Sequence, residues 1–394
     1  MPTKAVELAK VVVSRKGADR LKSGHVWVYR SDIVSADGTQ PGSLVAVKDE
    51  RGRFLGTALY SSASQIAIRL LSREIVPDFD SLLRERLQQA IAYRERVVEN
   101  SDAYRLVFGE ADFLPGLIVD RYNDIFSLQV LTQAMDADPV RQTLQEQLTA
   151  LQPVSIVERV DAHIRELEQL PARSSGLLYG EKTGTIFSMN GVKFHFDALQ
   201  GQKTGAFLDQ RENYAAAAAY ARGEALDVFC YQGGFALHLA ARCSRVTGVD
   251  SSRPALEIAE KNAGLNGREM DWIEANAFDL LRDYAAAGQQ YDVIVLDPPA
   301  FAKTKRDVPT AMRGYKELNL RALKMLRPGG ILVTCSCSYH VSSRDLLDAI
   351  AEAGLDVHKN LRLLENRGQS NDHPILLRVP ETAYLKCMIV HVSD

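Results

Sequence analysis

The chain has 394 residues, of which 46% are hydrophobic and 25% charged, with a net charge of -3 at pH 7. This length and balance are typical of a globular protein with two or three domains and exclude fibrous and disordered classes. Because no segment resembles a signal peptide or reaches the ~18 consecutive apolar residues of a membrane helix, we expect a cytoplasmic protein without a membrane partner.

Residues 1–75 are predicted to form a small β-rich domain. Short extended segments separated by turns, among them SLVAVKD, FLGTALYS and QIAIRLLS, favour a compact barrel. This region carries 12 Lys or Arg against seven Asp or Glu, although the whole chain is acidic. The excess of positive charge predicts either an anionic partner such as RNA or an ordinary solvated basic surface.

Residues 76–185 are predicted to form a central α+β domain. Leu83, Leu87 and Ile91 repeat at helical spacing within an amphipathic helix from Asp78 to Glu99. Extended segments follow, then a helix at 139–151 and the strand VSIVERV. The stretch LPARSSGLLYGEKTG loses this periodicity and is predicted to be the boundary with the last domain.

Residues 186–394 alternate between strands and helices, which predicts an α/β domain with a largely parallel sheet. The strand at Ala225 runs into a glycine turn, and the strands RVTGVD and YDVIVLD end at Asp250 and Asp297. Polar groups at the carboxyl ends of parallel strands predict a ligand site at that edge. The segments LLRVP and YLKCMIVHV are predicted to pair as an antiparallel edge.

The glycine turn is also compatible with a dinucleotide-binding fold, in which the acid after the second strand binds ribose. Two features argue against that interpretation. The turn reads FCYQGGF rather than G-x-G-x-x-G, and the sequence after the YDVIVLD strand is D-P-P-A-F, whose prolines fix the backbone.

Five cysteines form no disulfide framework in this sequence, and we expect them to be thiols. Cys335 and Cys337 form a C-x-C pair without further ligands at zinc spacing, so no metal site is predicted. Both lie at the end of one predicted strand, GILVTCSCS, where side chains two residues apart point to the same side.

Motifs along the whole chain resemble those of the bacterial large-subunit rRNA cytosine-5 methyltransferase I family. The resemblance implies a Rossmann-like class I methyltransferase domain, an N-terminal PUA-like β-barrel and a central α+β domain. The motifs are ADRLKSGHVWVY, RLVFGEADFLPGL, GQKTGAFLDQREN, LDVFCYQGGF, GVDSS, LDPPAF, YKELN, TCSCS and PETAYLKC.

The resemblance implies S-adenosylmethionine as the cofactor. Asp250 would bind its ribose, the Phe229 to Gly234 turn its methionine end and Phe278 its adenine. Asn276 stands where the family usually has Asp, and an amide can also pair with an adenine edge. The implied cofactor-binding residues are Phe229, Cys230, Tyr231, Gly233, Gly234, Asp250, Ser251, Asn276, Ala277, Phe278 and Asp297.

Methylation of cytosine at C5 requires a thiolate that adds to C6 of the ring. The resemblance favours Cys337 as this nucleophile, with Cys335 as the alternative and Asp297 as the group that binds the base. The implied substrate-binding residues are Lys203, Arg211, Pro298, Pro299, Phe301 and Lys303, although Lys203, Arg211 and Lys303 also fit a solvated surface.

The partner implied by the resemblance is 23S rRNA in a free or partly assembled subunit, and similar proteins suggest a homodimer. Two other functions fit the same motifs. A methyltransferase acting on an exocyclic guanine nitrogen would use D-P-P without a thiolate. A non-catalytic RNA-binding assembly factor would retain the fold without binding the cofactor.

Overall fold

The structure is a computed structural model that describes residues 8–199 and 206–394. The described residues form two compact units. Unit 1 comprises residues 8–185, 196–199 and 372–382, and unit 2 comprises 186–195, 206–371 and 383–394. The domain boundaries expected near residues 75 and 185 stay a prediction.

Unit 1 begins with a six-stranded sheet in the order β2-β6-β5-β4-β1-β3. Its apolar core includes Val11, Val28 and Ile68, all without solvent exposure. The elements are β1 (Ala9–Val13), α1 (Arg15–Lys22), β2 (Trp27–Tyr29), β3 (Ile33–Ser35), β4 (Leu44–Asp49), β5 (Phe54–Tyr60) and β6 (Ile66–Ser72).

A second sheet of unit 1 has the order β11-β10-β9-β8-β7. Its strand Gly176–Tyr179 pairs antiparallel with the preceding strand and lies inside the segment LPARSSGLLYGEKTG, which was expected to be the boundary with the last domain. The elements are α2 (Phe79–Val97), β7 (Ala103–Phe108), β8 (Leu117–Tyr122), β9 (Ile125–Val130), α3 (Asp138–Thr149), β10 (Ser155–Glu158), α4 (Ala162–Leu167) and β11 (Gly176–Tyr179).

A two-stranded sheet precedes the α/β part of the chain. The remaining elements are β12 (Gly184–Met189), β13 (Val192–Asp197), α5 (Arg211–Tyr220), β14 (Glu224–Val228), α6 (Gly234–Leu239), β15 (Arg245–Asp250), α7 (Arg253–Leu265), β16 (Asp271–Glu274), α8 (Ala277–Ala286), β17 (Tyr291–Leu296), α9 (Val308–Met325), β18 (Leu326–Ser336), α10 (Ser343–Asp356), β19 (Asn360–Arg367) and β20 (Lys386–Ser393). Short 3-10 helices lie at Arg30–Asp32, Gly109–Asp112, Leu208–Gln210, Lys305–Asp307 and Pro380–Thr382.

The main sheet of unit 2 has seven strands in the order β16-β15-β14-β17-β18-β20-β19. The first five of these strands are parallel to one another, whereas β20 is antiparallel to both β18 and β19. Strand β14 lies between β15 and β17. The next two strands in the chain, β15 and β16, therefore lie on one side of β14, and β17 and β18 lie on its other side. A change of direction of this kind opens a crevice at the carboxyl ends of the strands.

One predicted strand is wrong. Residues 376–380 form no strand, and Leu377 is 93% exposed. The partner of β20 is instead β19, whose sequence NLRLLENR contains mostly polar residues and is largely exposed. An edge strand with little burial lacks the apolar pattern that identifies interior strands, so the sequence pointed to the more hydrophobic segment.

Helix α7 has the ends that the sequence predicted. Ser252 is the N-cap, and its hydroxyl accepts a hydrogen bond from the Ala255 N–H. Pro254 lies in the first turn, where the missing N–H costs nothing, and the helix ends one residue after Gly264. Among the residues that the structure describes, no helix is long and apolar enough to cross a membrane.

A fully buried arginine stabilises unit 1. The Arg94 guanidinium, on helix α2, lies 2.5 Å from an Asp112 carboxylate oxygen. It also donates hydrogen bonds to the carbonyl oxygens of Arg105 at 2.9 Å and Asp372 at 2.8 Å. One side chain therefore connects α2 with β7 and with the distant 372–382 segment.

We expect Arg94→Ala to lower the free energy of unfolding of unit 1 by about 3–5 kcal/mol, because it leaves the Asp112 carboxylate without its counter-charge and removes a hydrogen-bond donor from two carbonyl oxygens. The matched control is Arg84→Ala on the same helix, whose exposed ion pairs with Asp80 and Glu146 should contribute much less to stability. Urea unfolding followed by Trp27 fluorescence in a Trp272→Phe background reports on unit 1. Equal losses for the two variants would contradict the assignment.

Candidate active site

The carboxyl ends of β14, β15 and β17 bring together the three features that the sequence singled out. The turn 229–234 follows β14, Asp250 ends β15, and Asp297 follows β17 directly. Strands β15 and β17 are both direct neighbours of β14, so these groups share one edge of the sheet. The predicted clustering of these groups is therefore present in unit 2.

The turn after β14 has an unusual backbone. Phe229 and Tyr231 adopt φ values of 67° and 49°, in the left-handed region that non-glycine residues rarely occupy. Gly233 follows with a φ of 84°. Main-chain hydrogen bonds hold the turn, from Cys230 N–H to Val249 O at 3.0 Å and from Gly233 N–H to Cys230 O at 2.8 Å. Strain of this kind is typical of functional loops.

Gly233 and Gly234 lack a side chain for different structural reasons. Gly233 allows the left-handed conformation that starts helix α6. Gly234 instead leaves room for Tyr214, because a Cβ there would lie 2.5 Å from the phenolic oxygen. Burial raises the pKa of Tyr214 well above its usual value.

Asp250 connects the ends of two strands. Its carboxylate accepts a hydrogen bond from the Tyr231 N–H and another from the Ser252 N–H, both at 2.9 Å. The first fixes the β14 turn, and the second fixes the start of helix α7. Cys230 is buried beside this turn, and burial raises its thiol pKa well above the usual value.

Asn276 is the N-cap of helix α8. Its Oδ1 accepts hydrogen bonds from the N–H groups of Phe278 at 3.0 Å and Asp279 at 3.3 Å. Ala277 is buried, whereas the Phe278 ring is 39% exposed and lies 6.1 Å from the Phe301 ring. Capping therefore uses the amide oxygen of Asn276, and its NH₂ is the group that can donate to a ligand.

Asp297 has a desolvated carboxyl group. Burial raises its pKa to about 7, and the nearby Asp209 carboxylate acts in the same direction. The Gln210 side-chain NH₂ donates to Asp297 Oδ2 at 3.0 Å, and Asn213 donates to Gln210 Oε1 at 2.7 Å. Tyr384 O–H donates to Asp209 Oδ2 at 2.6 Å. The carboxyl group of Asp297 can therefore exist in both protonation states near neutral pH.

Sequence reasoning missed Asp227, Asp209, Gln210 and Tyr384. Asp227 is the most informative of these, since a charged residue inside the apolar strand ALDVF was a visible signal. Its Oδ2 accepts a hydrogen bond from the Ala236 N–H at 2.8 Å, and burial raises its pKa to about 8. The other three are ordinary polar residues in motifs, and only the fold shows what they contact.

The two cysteines of the C-x-C pair have different surroundings. Cys335 is fully buried in β18 opposite Cys387, and burial raises its thiol pKa well above the usual value. Cys337 lies one residue beyond the strand, is half-buried, and has its Sγ 3.9 Å from the Pro298 carbonyl oxygen. All five cysteines are thiols, as expected.

The expected substrate-binding residues are not all equally accessible. Lys203 lies outside the described residues. Arg211 is buried and pairs with Glu212 at 3.3 Å, which rules out a solvated position for it. Lys303 is exposed just beyond D-P-P. The others differ in burial: Pro298 is buried, Pro299 is exposed, and the half-buried Phe301 ring lies 4.9 Å from the Tyr315 ring.

Comparisons with known proteins agree with this geometry. A PUA-like domain matches residues 11–73, and an S-adenosylmethionine-dependent methyltransferase domain matches residues 109–376. Two relatives share the name ribosomal RNA large subunit methyltransferase I. The one from Shewanella denitrificans is 39% identical over 96% of this chain and 98% of its own. The one from Tolumonas auensis is 40% identical over 94% of this chain and 97% of its own.

The chain belongs to this family of S-adenosylmethionine-dependent methyltransferases. The fold agrees with that of a protein assigned as a methyltransferase and crystallised with SAH, at a TM-score of 0.83 and 20% identity over 98% of this chain and 100% of the other. A second structure, assigned as a SAM-dependent methyltransferase from Streptococcus mutans, has a TM-score of 0.81 and 18% sequence identity over 98% of this chain and 100% of the other. The predicted fold class and cofactor are confirmed. Across residues 8–199 and 206–394, no cluster of side chains could hold a metal ion.

We expect Asp227→Asn to reduce the pH dependence of stability. A free Asp ionises near pH 3.9, whereas burial raises the pKa of Asp227 to about 8 in the folded protein. Between these values the folded state binds more protons than the unfolded state, so stability falls as pH rises. Asn does not ionise. The decrease in the free energy of unfolding from pH 5 to pH 8 should therefore be smaller in the variant than in the wild type, by on the order of 1–3 kcal/mol.

Urea unfolding at the two pH values, followed by Trp272 fluorescence, measures this difference. The control is Asp271→Asn, which changes an exposed acid paired with Arg245 and should retain the wild-type slope. An unchanged slope in Asp227→Asn would show that Asp227 is ionised throughout this pH range.

Proposed function

We propose that the protein methylates C5 of a cytosine in 23S ribosomal RNA, with Cys337 as the nucleophile. The name shared by its relatives supports ribosomal RNA of the large subunit as the substrate. The PUA-like domain and the basic N-terminal region support contacts with RNA phosphates. A cytoplasmic location and a homodimer stay predictions.

We propose that the cofactor binds along the carboxyl edge of the sheet. The left-handed turn 229–234 and the fixed Asp250 carboxylate support binding of the methionine end and the ribose, respectively. The exposed Phe278 ring and the Asn276 NH₂ group suit an adenine face and an adenine ring nitrogen. Ser251, Ala277 and Asp297 complete the proposed set.

Cysteine chemistry makes C5 reactive. Cytosine C5 is a weak nucleophile until a thiolate adds to C6: the sulfur forms a bond to C6, the C5–C6 double bond breaks, and its π electrons become available at C5. When bound, S-adenosylmethionine supplies the methyl group that C5 acquires. A general base then removes the C5 proton, the C5–C6 double bond re-forms, and the Cys337 sulfur leaves as the thiolate.

The position of the Cys337 sulfur carries the proposal. It is half-buried and lies 3.9 Å from the carbonyl oxygen of Pro298, at the D-P-P turn. Cys335 has no solvent exposure and a raised thiol pKa, so it is a poorer nucleophile. These differences support Cys337 over Cys335.

The proposed binding of the target base involves Asp297, with Pro298, Pro299 and Phe301 around it. A carboxyl group with a pKa of about 7 can donate a hydrogen bond when neutral and accept one when ionised. Lys303 is exposed and suits an RNA phosphate, while Lys203 and Arg211 stay predictions. A base must leave its stack to reach such a pocket, so we expect the target in a loop or opened helix.

We expect Asp250→Ala to weaken binding of S-adenosylhomocysteine at least about tenfold, since the variant loses both a hydrogen-bond acceptor for ribose and the two main-chain bonds that shape the turn. Isothermal titration calorimetry measures the affinity. Asp271→Ala, at the opposite end of the sheet, should bind like the wild type. Wild-type protein that fails to bind would favour the non-catalytic assembly factor.

We expect Cys337→Ala to lower the methylation rate at least about 1,000-fold, because it removes the attacking atom. Cys335→Ala, the matched control two residues away, should retain activity within about threefold once its stability is checked. The assay is mass spectrometry of nucleosides from unmodified 23S rRNA treated with each protein. Full activity in Cys337→Ala, or a methyl group on guanine, would exclude the proposed mechanism.

A further inference from the structure

A buried lysine lies next to Cys337. Lys386 is the first residue of β20, is only 7% exposed, and is paired across the sheet with Ser336. Its ammonium group donates hydrogen bonds to the carbonyl oxygens of Ser338 at 2.7 Å and Tyr384 at 2.9 Å. Ser338 directly follows Cys337, so the lysine holds the segment that carries the thiol.

Lys386 makes no ion pair with a carboxylate within the part of the chain that the structure describes. A buried ammonium is costly unless hydrogen bonds and a nearby negative charge compensate for lost hydration. The two carbonyl oxygens supply hydrogen bonds but no full charge. The ionisable groups that act on Lys386 are Cys337 and Asp345, and both favour its charged form.

Asp345 is already engaged elsewhere. Its carboxylate accepts hydrogen bonds from the N–H and the hydroxyl of Ser342, at 2.8 and 2.7 Å, in the capping box of helix α10. On the side of helix α9, the ionisable group is the neutral Tyr315, whose hydroxyl lies between Ser336 Oγ at 2.8 Å and Ser338 Oγ at 3.0 Å. Cys337 is therefore the acidic group that can become a new anion beside Lys386.

The segment that holds the thiol is also rigid. Ser338 Oγ accepts a hydrogen bond from the Ala302 N–H at 3.1 Å, which joins it to the chain after D-P-P. Its Oγ and carbonyl oxygen thus contact Tyr315, Ala302 and Lys386. These contacts fix the ammonium beside the residue that follows Cys337, without a cost in side-chain entropy at the time of reaction.

We propose that Lys386 is a positioning residue that stabilises Cys337 as a thiolate and thereby prepares it for addition to the base. The inference rests on the proposed role of Cys337 and adds a residue to it. Lys386 acts through the sulfur and does not itself contact the substrate. An adjacent ammonium is a recognised way to favour a cysteine thiolate at neutral pH.

The charge of Lys386 has a defined pH range. Burial lowers its pKa to about 8, while Cys337 and Asp345 oppose the shift. The ammonium is present below about pH 8 and lost above it, so its effect on the thiolate belongs to neutral pH. Because the two groups interact, their protons are released by the pair rather than by either group alone.

The test is the rate at which iodoacetamide alkylates Cys337 in the full-length protein, measured by peptide mass spectrometry between pH 6 and pH 10. Lys386→Met retains the apolar stem but removes the charge, and we expect the rate at pH 7 to fall about tenfold. At pH 10 the two proteins should agree within about twofold, since the thiolate then forms without help. Lys386→Arg should restore most of the rate at pH 7.

Cys243 is the internal reference thiol. It is half-buried, and burial raises its pKa to about 11, so its alkylation at pH 10 should be the same in all variants. A purely structural role of Lys386 would change both thiols or change Cys337 equally at every pH. Equal rates at pH 7 in the wild type and Lys386→Met would overturn the inference.

If Lys386→Met does not fold, the wild-type profile alone decides. A rate at Cys337 that is half-maximal below about pH 8.5, the value of an ordinary thiol, supports the inference, and one that is half-maximal at or above that pH overturns it. Failure of the proposed function is a separate result, because it is detected as retained methylation in Cys337→Ala. Alkylation of Cys337 requires neither RNA nor cofactor and therefore reports on Lys386 alone.

Discussion

Loss of hydration at the carboxyl edge of one sheet controls the chemistry of unit 2. Asp227, Asp297 and Lys386 are desolvated there. Burial raises the pKa of the two carboxyl groups and lowers the pKa of the ammonium group, so it favours the neutral form of each. An enzyme that adds and removes protons near pH 7 needs groups that titrate in that range. The apolar strands that build the core therefore also determine how the polar groups at their ends behave.

The parallel direction of β14, β15 and β17 and the polar groups at their carboxyl ends were predictable, because each strand is an apolar run that ends in a conspicuous polar residue or glycine turn. The cap of α7 was predictable for the same local reason, since Ser252 and Pro254 have fixed roles at helix starts. Strand β19 was not predictable, because it is exposed and its pairing is with a strand that follows it by many residues. Local patterns report burial and capping, whereas pairing of an exposed edge depends on tertiary structure.

The same distinction applies to the site. Asp250, Asp297 and the glycine turn follow strands directly, so their place could be inferred from the sequence. The places of Gln210 and Lys386 could not be inferred, because their importance comes from tertiary contacts with Asp297 and with the carbonyl oxygen of Ser338. The C-x-C pair shows the limit most clearly: two cysteines of similar sequence context differ in burial because β18 ends between them.

The 372–382 segment has a consequence for how the protein is made. It belongs to unit 1, most of which lies before residue 186, although the residues on both sides of it belong to unit 2. Arg94 binds the Asp372 carbonyl oxygen, and the His25 ring lies 3.1 Å from the Glu381 carboxylate. The ribosome must therefore synthesise nearly the whole chain before unit 1 can acquire its last contacts. Until then the buried Arg94 and His25 each lack one of their partners, which extends the period in which the nascent chain depends on protection from aggregation.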